Sequence, residues 1–283
     1  MSEKREKISS ALARVRASFP FKDYLADDDG STGPYSNIAE TVLRYLPQPD
    51  SCRILDFGAG ACDKTAVLQM LGYKCSACDD LQDDWHKLPG SCEKITSFAA
   101  DTGIDFKLLR DSNLPFAAAE FSMVMLHDVL EHLHDSPRCL LNRIVEFIAP
   151  GGFLFITVPN AVNIRKRLDV LRGRSNLPDF SGYYWYPGPW RGHIREYVRS
   201  DLQLLAKYLG LEIIELRGCD HMLHKVPAII RPLYLKITDF FDGLKDSWLL
   251  VAKKPADWRP RLDLPAEDAT RILGKNSYSP TST

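Results

Sequence analysis

The chain is predicted to be an α/β protein built on a mostly parallel sheet, and three observations predict it. The stretch Arg53-Ile54-Leu55-Asp56-Phe57-Gly58-Ala59-Gly60-Ala61-Cys62 reads as a buried strand that runs into a glycine-rich turn, followed by a helix from about Asp63 to Leu71. Closely spaced glycines there let backbone approach a nucleotide-like ligand without side-chain interference. A second short strand, 74–78, ends at Asp79, an acid placed to accept hydrogen bonds from both hydroxyls of a ribose. Beyond it, strand-like and helix-like segments alternate with short connections, which implies a parallel sheet covered on both faces.

The elements follow in order. Ile8, Leu12 and Val15 recur near helical spacing among charges, so residues 1–18 form a short amphipathic helix that Phe19-Pro20-Phe21 breaks. Asp27–Pro34 is a polar loop, and a helix from Tyr35 to Tyr45 leads through Pro47 to the strand at 52–57. After the helix at 63–71 and the strand at 74–78 come a turn and a short helix near 81–87, then strands at 105–109 and 120–126. A helix at 136–148 stops at Pro150-Gly151-Gly152, and a strand follows at 153–158. The rhythm then changes: residues 160–174 are a basic helix or loop, and 178–193 are aromatic and rich in Pro and Gly. A helix at 199–209 and a strand at 211–216 resume the pattern, 222–245 is an apolar excursion broken by proline, and 247–252 is a last strand. The domain organisation expected is an N-terminal helical cap over 1–50, one large domain over 51–254, and a flexible tail over 255–283.

Bulk properties narrow the function. A formal charge of −1 on 283 residues leaves no broad basic surface, which argues against general nucleic-acid binding. The N-terminus MSEKREKISS is charged rather than signal-like, and seven scattered cysteines suit a reducing cytoplasmic compartment better than a disulfide framework. Cys75 and Cys78 form a C-x-x-C pair, but they fall inside a strand and have no second pair to complete a zinc site; buried thiols are the expectation.

The turn points to an adenosine-containing cofactor, and its acids discriminate among them. A dinucleotide fold favours G-x-G-x-x-G, whereas Gly58 and Gly60 are followed by Asp63, which would repel a pyrophosphate. S-adenosylmethionine has no phosphate and carries a sulfonium and an ammonium, so acids suit it. The stretches ILDFGAGAC, GYKCSACDD, LLRDSNLPF, FSMVMLHDVLEHL, IAPGGFLFITVPN and GHIREYVRSDLQLLAKYLGLEI occur in the order and spacing of one family. From about residue 52 to 254 the chain resembles class I S-adenosylmethionine-dependent methyltransferases, of the group that includes ubiquinone-type and sugar O-methyltransferases. The resemblance implies a Rossmann-like, doubly wound seven-stranded sheet with an antiparallel hairpin at its edge, and a lid or acceptor insertion after the fifth strand. It also implies that Asp56, Gly58 and Gly60 line the methionine end of the cofactor, that Asp79 holds the ribose, and that Asp111 lies near the adenine with Ser112 or Asn113. His127 would sit beside the sulfonium. Cys62 stands where the family has a third glycine, and Ser122 replaces a common acid of the fourth strand.

The acceptor side is less determined. Methyl transfer to a hydroxyl needs alignment and removal of a proton, and His127, His132 and His193 are the candidate catalytic bases. His193 lies in Gly192–Tyr197, a connection that crosses the carboxyl ends of the strands, where ligands bind in open sheets. Asp128, Glu131, His132 and His193 resemble the E-x-x-E-H motif with a distal histidine of ubiquinone-type and small-RNA 2′-O-methyltransferases, with Asp128 shortening the first acid. Two carboxylates and two imidazoles suit a divalent metal; alternatively Glu131 and His132 pair and cap a helix while one histidine acts as base.

Arginines and lysines between Asn163 and Arg174, together with the run Tyr183–Arg191, suit an acceptor that combines a ring with an anionic group. The acceptor expected is a hydroxyl of a sugar or glycan-pathway intermediate, with a quinone, phenolic or other secondary metabolite as the alternative. RNA is a minor third option. From a different class, the chain would be a non-catalytic module that retains the cofactor. The apolar 222–245 segment offers a peripheral membrane contact or a homodimer contact.

Overall fold

A computed structural model describes residues 3–21, 25, 33–110, 113–221, 223, 226–265 and 268–269. Asp111, Ser112, Met222, His224, most of the 27–34 loop and the chain beyond 269 lie outside the described residues.

Seven strands form one sheet: β1 (Arg53–Phe57), β2 (Lys74–Asp79), β3 (Asp105–Leu108), β4 (Phe121–His127), β5 (Ile148–Pro159), β6 (Glu212–Cys219) and β7 (Ser247–Lys253). Their spatial order is β3-β2-β1-β4-β5-β7-β6. All neighbours are parallel except β7, which runs antiparallel to both β5 and β6. The direction of strand addition reverses between β1 and β4, so their carboxyl ends open a crevice. β1 is fully buried from Ile54 onward, and its side chains alternate between the two cores. Ile54 joins the core on one face and Leu55 the core on the other.

Helices α1 (Glu3–Ser18), α2 (Pro34–Tyr45) and α3 (Asp63–Met70) share one face of the sheet. Ile8, Leu12 and Val15 form the buried stripe of α1, as their spacing predicts. Two polar contacts tie the cap to the domain: Tyr45 Oη donates to Glu215 on β6 at 2.7 Å, and Tyr35 Oη donates to Asp63 at 2.5 Å. On the opposite face lie α5 (Arg138–Phe147) and α8 (Arg199–Leu209).

Several expectations need correction. No helix forms over 81–87; that stretch is a series of turns, and α4 (Ser91–Asp101) follows it, buried through Ile95, Phe98 and Ala99. Weak helix formers such as Ser, Cys and Thr hid α4, although the i, i+3, i+4 spacing of those three residues marks it. β5 starts at Ile148 rather than 153 and carries Pro150-Gly151-Gly152 within it, where a register irregularity against β4 absorbs the bend. The first part of the expected flexible tail is docked: Trp258 Nε1 donates to Leu209 O at 2.6 Å, and Arg261 N donates to Asn142 Oδ1 at 2.7 Å.

After β5 the chain forms α6 (Ile164–Leu171) and the one-turn α7 (Phe180–Tyr184), and α9 (Arg231–Phe240) lies between β6 and β7. In α9 only Tyr234 and Thr238 are buried; its apolar residue Phe240 is 80% exposed, and Ile229 just before the helix is 91% exposed. Among the described residues, no helix is long and apolar enough to cross a membrane.

Candidate active site

A cleft of about 1110 Å³ opens at the carboxyl ends of β1, β2 and β4. Its floor is the turn after β1. Gly58 N and Ala59 N donate to Cys78 O at 2.8 and 3.1 Å, which locks the turn to β2. Gly58 has φ +76, and a Cβ there would meet Val129 Cγ2 at 2.5 Å, so backbone and space both require glycine. Cys62, where the family pattern has glycine, is itself left-handed at φ 60 and fully buried at the start of α3. The departure is therefore in residue type and not in backbone shape; a left-handed non-glycine costs about 1 kcal/mol.

The acids divide into two roles. Asp79 lies at the cleft wall and accepts from Gly60 N at 2.8 Å and Leu81 N at 2.7 Å, one donor to each oxygen. Each oxygen keeps a lone pair for a ligand hydroxyl. Asp56, in contrast, stands behind the turn, buried, with its carboxylate accepting from Thr65 Oγ1 at 2.6 Å. It is absent from the cleft wall, and burial raises its pKa to about 6 against the opposing Thr65 hydrogen bond. Asp63, Asp80, Asp83 and Asp128 complete a rim of acids, opposed by Lys64, Arg110, Arg143 and Arg191. Such a rim fits a cationic, phosphate-free ligand and disfavours a pyrophosphate. Leu108, Leu109 and Leu114 give the apolar wall that a flat base needs.

Cys75 and Cys78 point to opposite faces of β2, into different cores, so they form no common metal or redox site. Burial pushes both thiols far up.

His127 closes β4 at the cleft. It is buried, its Nδ1 is 3.0 Å from Thr157 Oγ1, and its Nε2 has no partner. Burial, reinforced by Lys64, lowers its pKa to about 3. A neutral ring can stand beside a sulfonium without repelling it.

Past β4, a 3₁₀ turn spans Leu130–His132. Asp128 takes φ +59 and turns its carboxylate toward Lys64 Nζ, 3.6 Å away. The four residues expected to converge therefore become three: ligand atoms of Glu131, His132 and His193 lie within 4.8 Å of one another, without Asp128. Glu131 is fully buried and neither carboxylate oxygen has a partner. Burial first, then Asp128, pushes its pKa well above the ordinary carboxylate range. The expected Glu131–His132 pair does not form. His132 Nδ1 instead lies 2.8 Å from Arg191 O, and His193 Nδ1 lies 2.9 Å from Glu196 Oε1. A carbonyl and a carboxylate only accept, so both Nδ1 atoms carry the proton and both Nε2 lone pairs are left available. Burial, then His132, lowers the pKa of His193 to about 4.

The lid differs from expectation. Arg165 is spent on the buried Asp246, and Lys166 on Glu196. Phe180, Tyr183, Tyr184 and Trp185 are all exposed and none lines the cleft. Only Arg191 reaches it, gripping Asp83 at 3.1 Å and Asp80 at 3.2 Å. His221 lies 3.4 Å from Cys219 Sγ and does not itself line the cleft. Two cleft residues had no sequence signal of their own: Lys64 in the first turn of α3, and His86, which follows the Asp79-Asp80 and Asp83-Asp84 pairs.

Residues 34–216 match the family model described as a methyltransferase domain. Over 123 residues the chain is 32% identical to the ubiquinone biosynthesis O-methyltransferase of Methylocella silvestris, a match spanning 41% of this chain and 44% of that relative. Among solved structures, an S-adenosylmethionine-dependent methyltransferase of Methanosarcina mazei superposes with a TM-score of 0.52 at 18% identity, covering 77% of this chain and 98% of that one. The 1,6-didemethyltoxoflavin-N1-methyltransferase of Burkholderia thailandensis, solved with S-adenosylhomocysteine, gives 0.52 at 17% identity, covering 90% and 92%. Both likenesses bear on the fold, and with the family match and the acid-rimmed turn they lead to one conclusion. The chain belongs to the methyltransferase-domain family, as a class I S-adenosylmethionine-dependent methyltransferase.

Proposed function

We propose that the enzyme transfers a methyl group to a hydroxyl oxygen of a small molecule, and that Glu131, His132 and His193 grip that hydroxyl through a divalent cation. The observation that carries this reading is the buried Glu131 carboxylate, both oxygens unpartnered, facing two imidazoles whose Nδ1 protons are already committed elsewhere. An unsatisfied buried carboxylate is costly unless a ligand completes it. Outer partners that fix Nδ1–H and free Nε2 are the usual support of a metal-binding histidine. When bound, the cation lowers the pKa of the acceptor hydroxyl. The methyl donor supplies a methyl group on a sulfonium that departs as a neutral thioether.

The chain's own residues do the rest. Asp79 and the Gly58–Gly60 turn hold the donor, and His127 presents a neutral face beside it. Holding two reactants in line supplies several kcal/mol of barrier reduction. In the transfer the oxygen–carbon bond forms as the carbon–sulfur bond breaks, and the hydroxyl proton leaves to a base or to solvent.

For the acceptor, a ring with neighbouring hydroxyls fits best, because two adjacent oxygens chelate one cation. A phenolic ring leads over a sugar. The sugar reading depends on stacking by the Tyr183–Trp190 run, whose Tyr183, Tyr184 and Trp185 are exposed outside the cleft, as is the neighbouring Phe180. Val129, Leu133 and Leu140 give apolar cleft wall near His132, which a flat ring matches. The resemblance to a ubiquinone-biosynthesis enzyme points the same way. The test is labelled methyl transfer to a catechol and to a pyranose diol, with metal content measured in wild type, His132→Ala and His193→Ala. The reading expects catechol O-methylation and loss of bound metal in both variants. Stoichiometric metal lost in neither variant would rule out the cation, and methylation of the sugar alone would reverse the acceptor.

A further inference from the structure

We propose that His86 is a cofactor-binding residue that donates a hydrogen bond to a ribose hydroxyl whose own O–H donates to Asp79. His86 is only 4% exposed, yet it lines the cleft and neither ring nitrogen has a hydrogen-bond partner. Buried polar groups are nearly always paired, so an orphaned imidazole at a ligand cleft marks where a ligand atom belongs. Its position says which atom. A Cβ built on Gly60 would lie 3.9 Å from His86 Nε2, and Gly60 N is the donor that holds Asp79 Oδ2 at 2.8 Å. The imidazole therefore borders the same turn as the ribose acid.

The chemistry is complementary. A carboxylate can only accept, so Asp79 accepts the hydrogen bond from the hydroxyl and leaves the hydroxyl oxygen's lone pairs unmet. A neutral imidazole carries one N–H donor, which supplies what Asp79 cannot. Burial is the leading influence on His86 and lowers its pKa, while Asp79, Asp83 and Asp80 oppose that and Arg191 adds to it. The ring of Trp85, 3.9 Å away between centroids, and through it Phe21, backs the imidazole from the N-terminal cap. The cap therefore does more than cover the core: it backs a residue of the cofactor cleft.

The experiment compares S-adenosylhomocysteine with its 2′-deoxy and 3′-deoxy analogues by calorimetry on wild type, His86→Phe and His86→Gln. His86→Phe should weaken S-adenosylhomocysteine by roughly 10-fold or more. It should leave one deoxy analogue bound as by wild type, because the contact it removes is already gone. His86→Gln, which keeps a donor, should recover part of the affinity. The unliganded Phe variant should melt no lower than wild type, since the orphaned nitrogens are gone. An equal loss for all three ligands, or affinity within about 2-fold of wild type for S-adenosylhomocysteine, overturns the proposal. Should the Phe variant fail to fold, the ¹⁵N ring resonances of His86 in the wild type decide. They should move on adding S-adenosylhomocysteine and move less with one deoxy analogue; no movement with any of the three overturns it.

Discussion

The two halves of the cleft handle their polar groups in opposite ways. In the turn half, the acids are satisfied by the chain itself: Asp79 at the wall takes Gly60 N and Leu81 N, and Asp56 behind the turn takes Thr65. Beyond β4, Nε2 of His127 at the cleft wall and the carboxylate oxygens of Glu131, beside the cleft-lining His132, are buried without partners. The first half is a finished receptor whose geometry is present before any ligand arrives. The second is finished only by what binds there. Among the described residues, His86 is the buried group of the turn half that breaks this division, which is why it reads as a ligand contact.

That contrast is broken most readily from the acceptor side. His193→Ala should lower turnover by roughly 10²–10⁴-fold while calorimetry finds cofactor affinity unchanged; a matching loss of cofactor affinity would mean the halves are not separable. Asp79→Ala should do the reverse. It frees two backbone donors and removes the hydroxyl acceptor, so cofactor affinity should fall on the order of 100-fold, with acceptor KM little changed at saturating cofactor.

Changes at Asp56 should register in stability. Its folded pKa, about 6, lies above the ordinary 3.8, so between those values the native state holds a proton that the unfolded chain releases. Its contribution is therefore most favourable below about pH 4 and is lost as pH rises through about 6, then stays constant. Denaturant titrations at pH 4 and pH 7 should show this pH-dependent loss shrinking by roughly 2 kcal/mol in Asp56→Asn relative to wild type. An identical pH dependence in the two proteins would contradict burial as the cause. Smallest of all, Gly58→Ala should cost roughly 1–2 kcal/mol through its φ and the Val129 contact. Val129→Ala in the same chain should return part of it, measured by thermal melting.

Legibility in the sequence follows the same division. The strand, turn and acid of 53–63 and the acid ending β2 could be read because backbone chemistry guides residue type there: glycine at the positive-φ positions 58 and 60, and an acid where the end of β2 meets the free N–H groups of Gly60 and Leu81. The core helix α1 was legible through the apolar spacing of Ile8, Leu12 and Val15. Turns at 81–87 and helix α4 were not, since three apolar buried residues in eleven leave a faint period. On the acceptor side, sequence neighbours did not become spatial partners. Asp128 adopts a left-handed backbone and swings to Lys64, a tertiary contact that no local spacing announces. His193 is brought to Glu131 and His132 from 61 residues beyond the latter, helped by Ile194 N donating to Glu131 O at 2.6 Å. The aromatic run at 183–190 has a composition that suits stacking, but composition does not specify which way a loop faces.

The central claim is that Glu131 acts on the acceptor and takes no part in holding the cofactor. The most direct measurement is Glu131→Gln, with S-adenosylhomocysteine affinity from calorimetry and labelled methyl transfer to a catechol taken on the same preparation. The account predicts an unchanged dissociation constant and turnover at least about 100-fold lower. Turnover within a few-fold of wild type, or a loss of cofactor affinity that accounts for the loss of turnover, would contradict it.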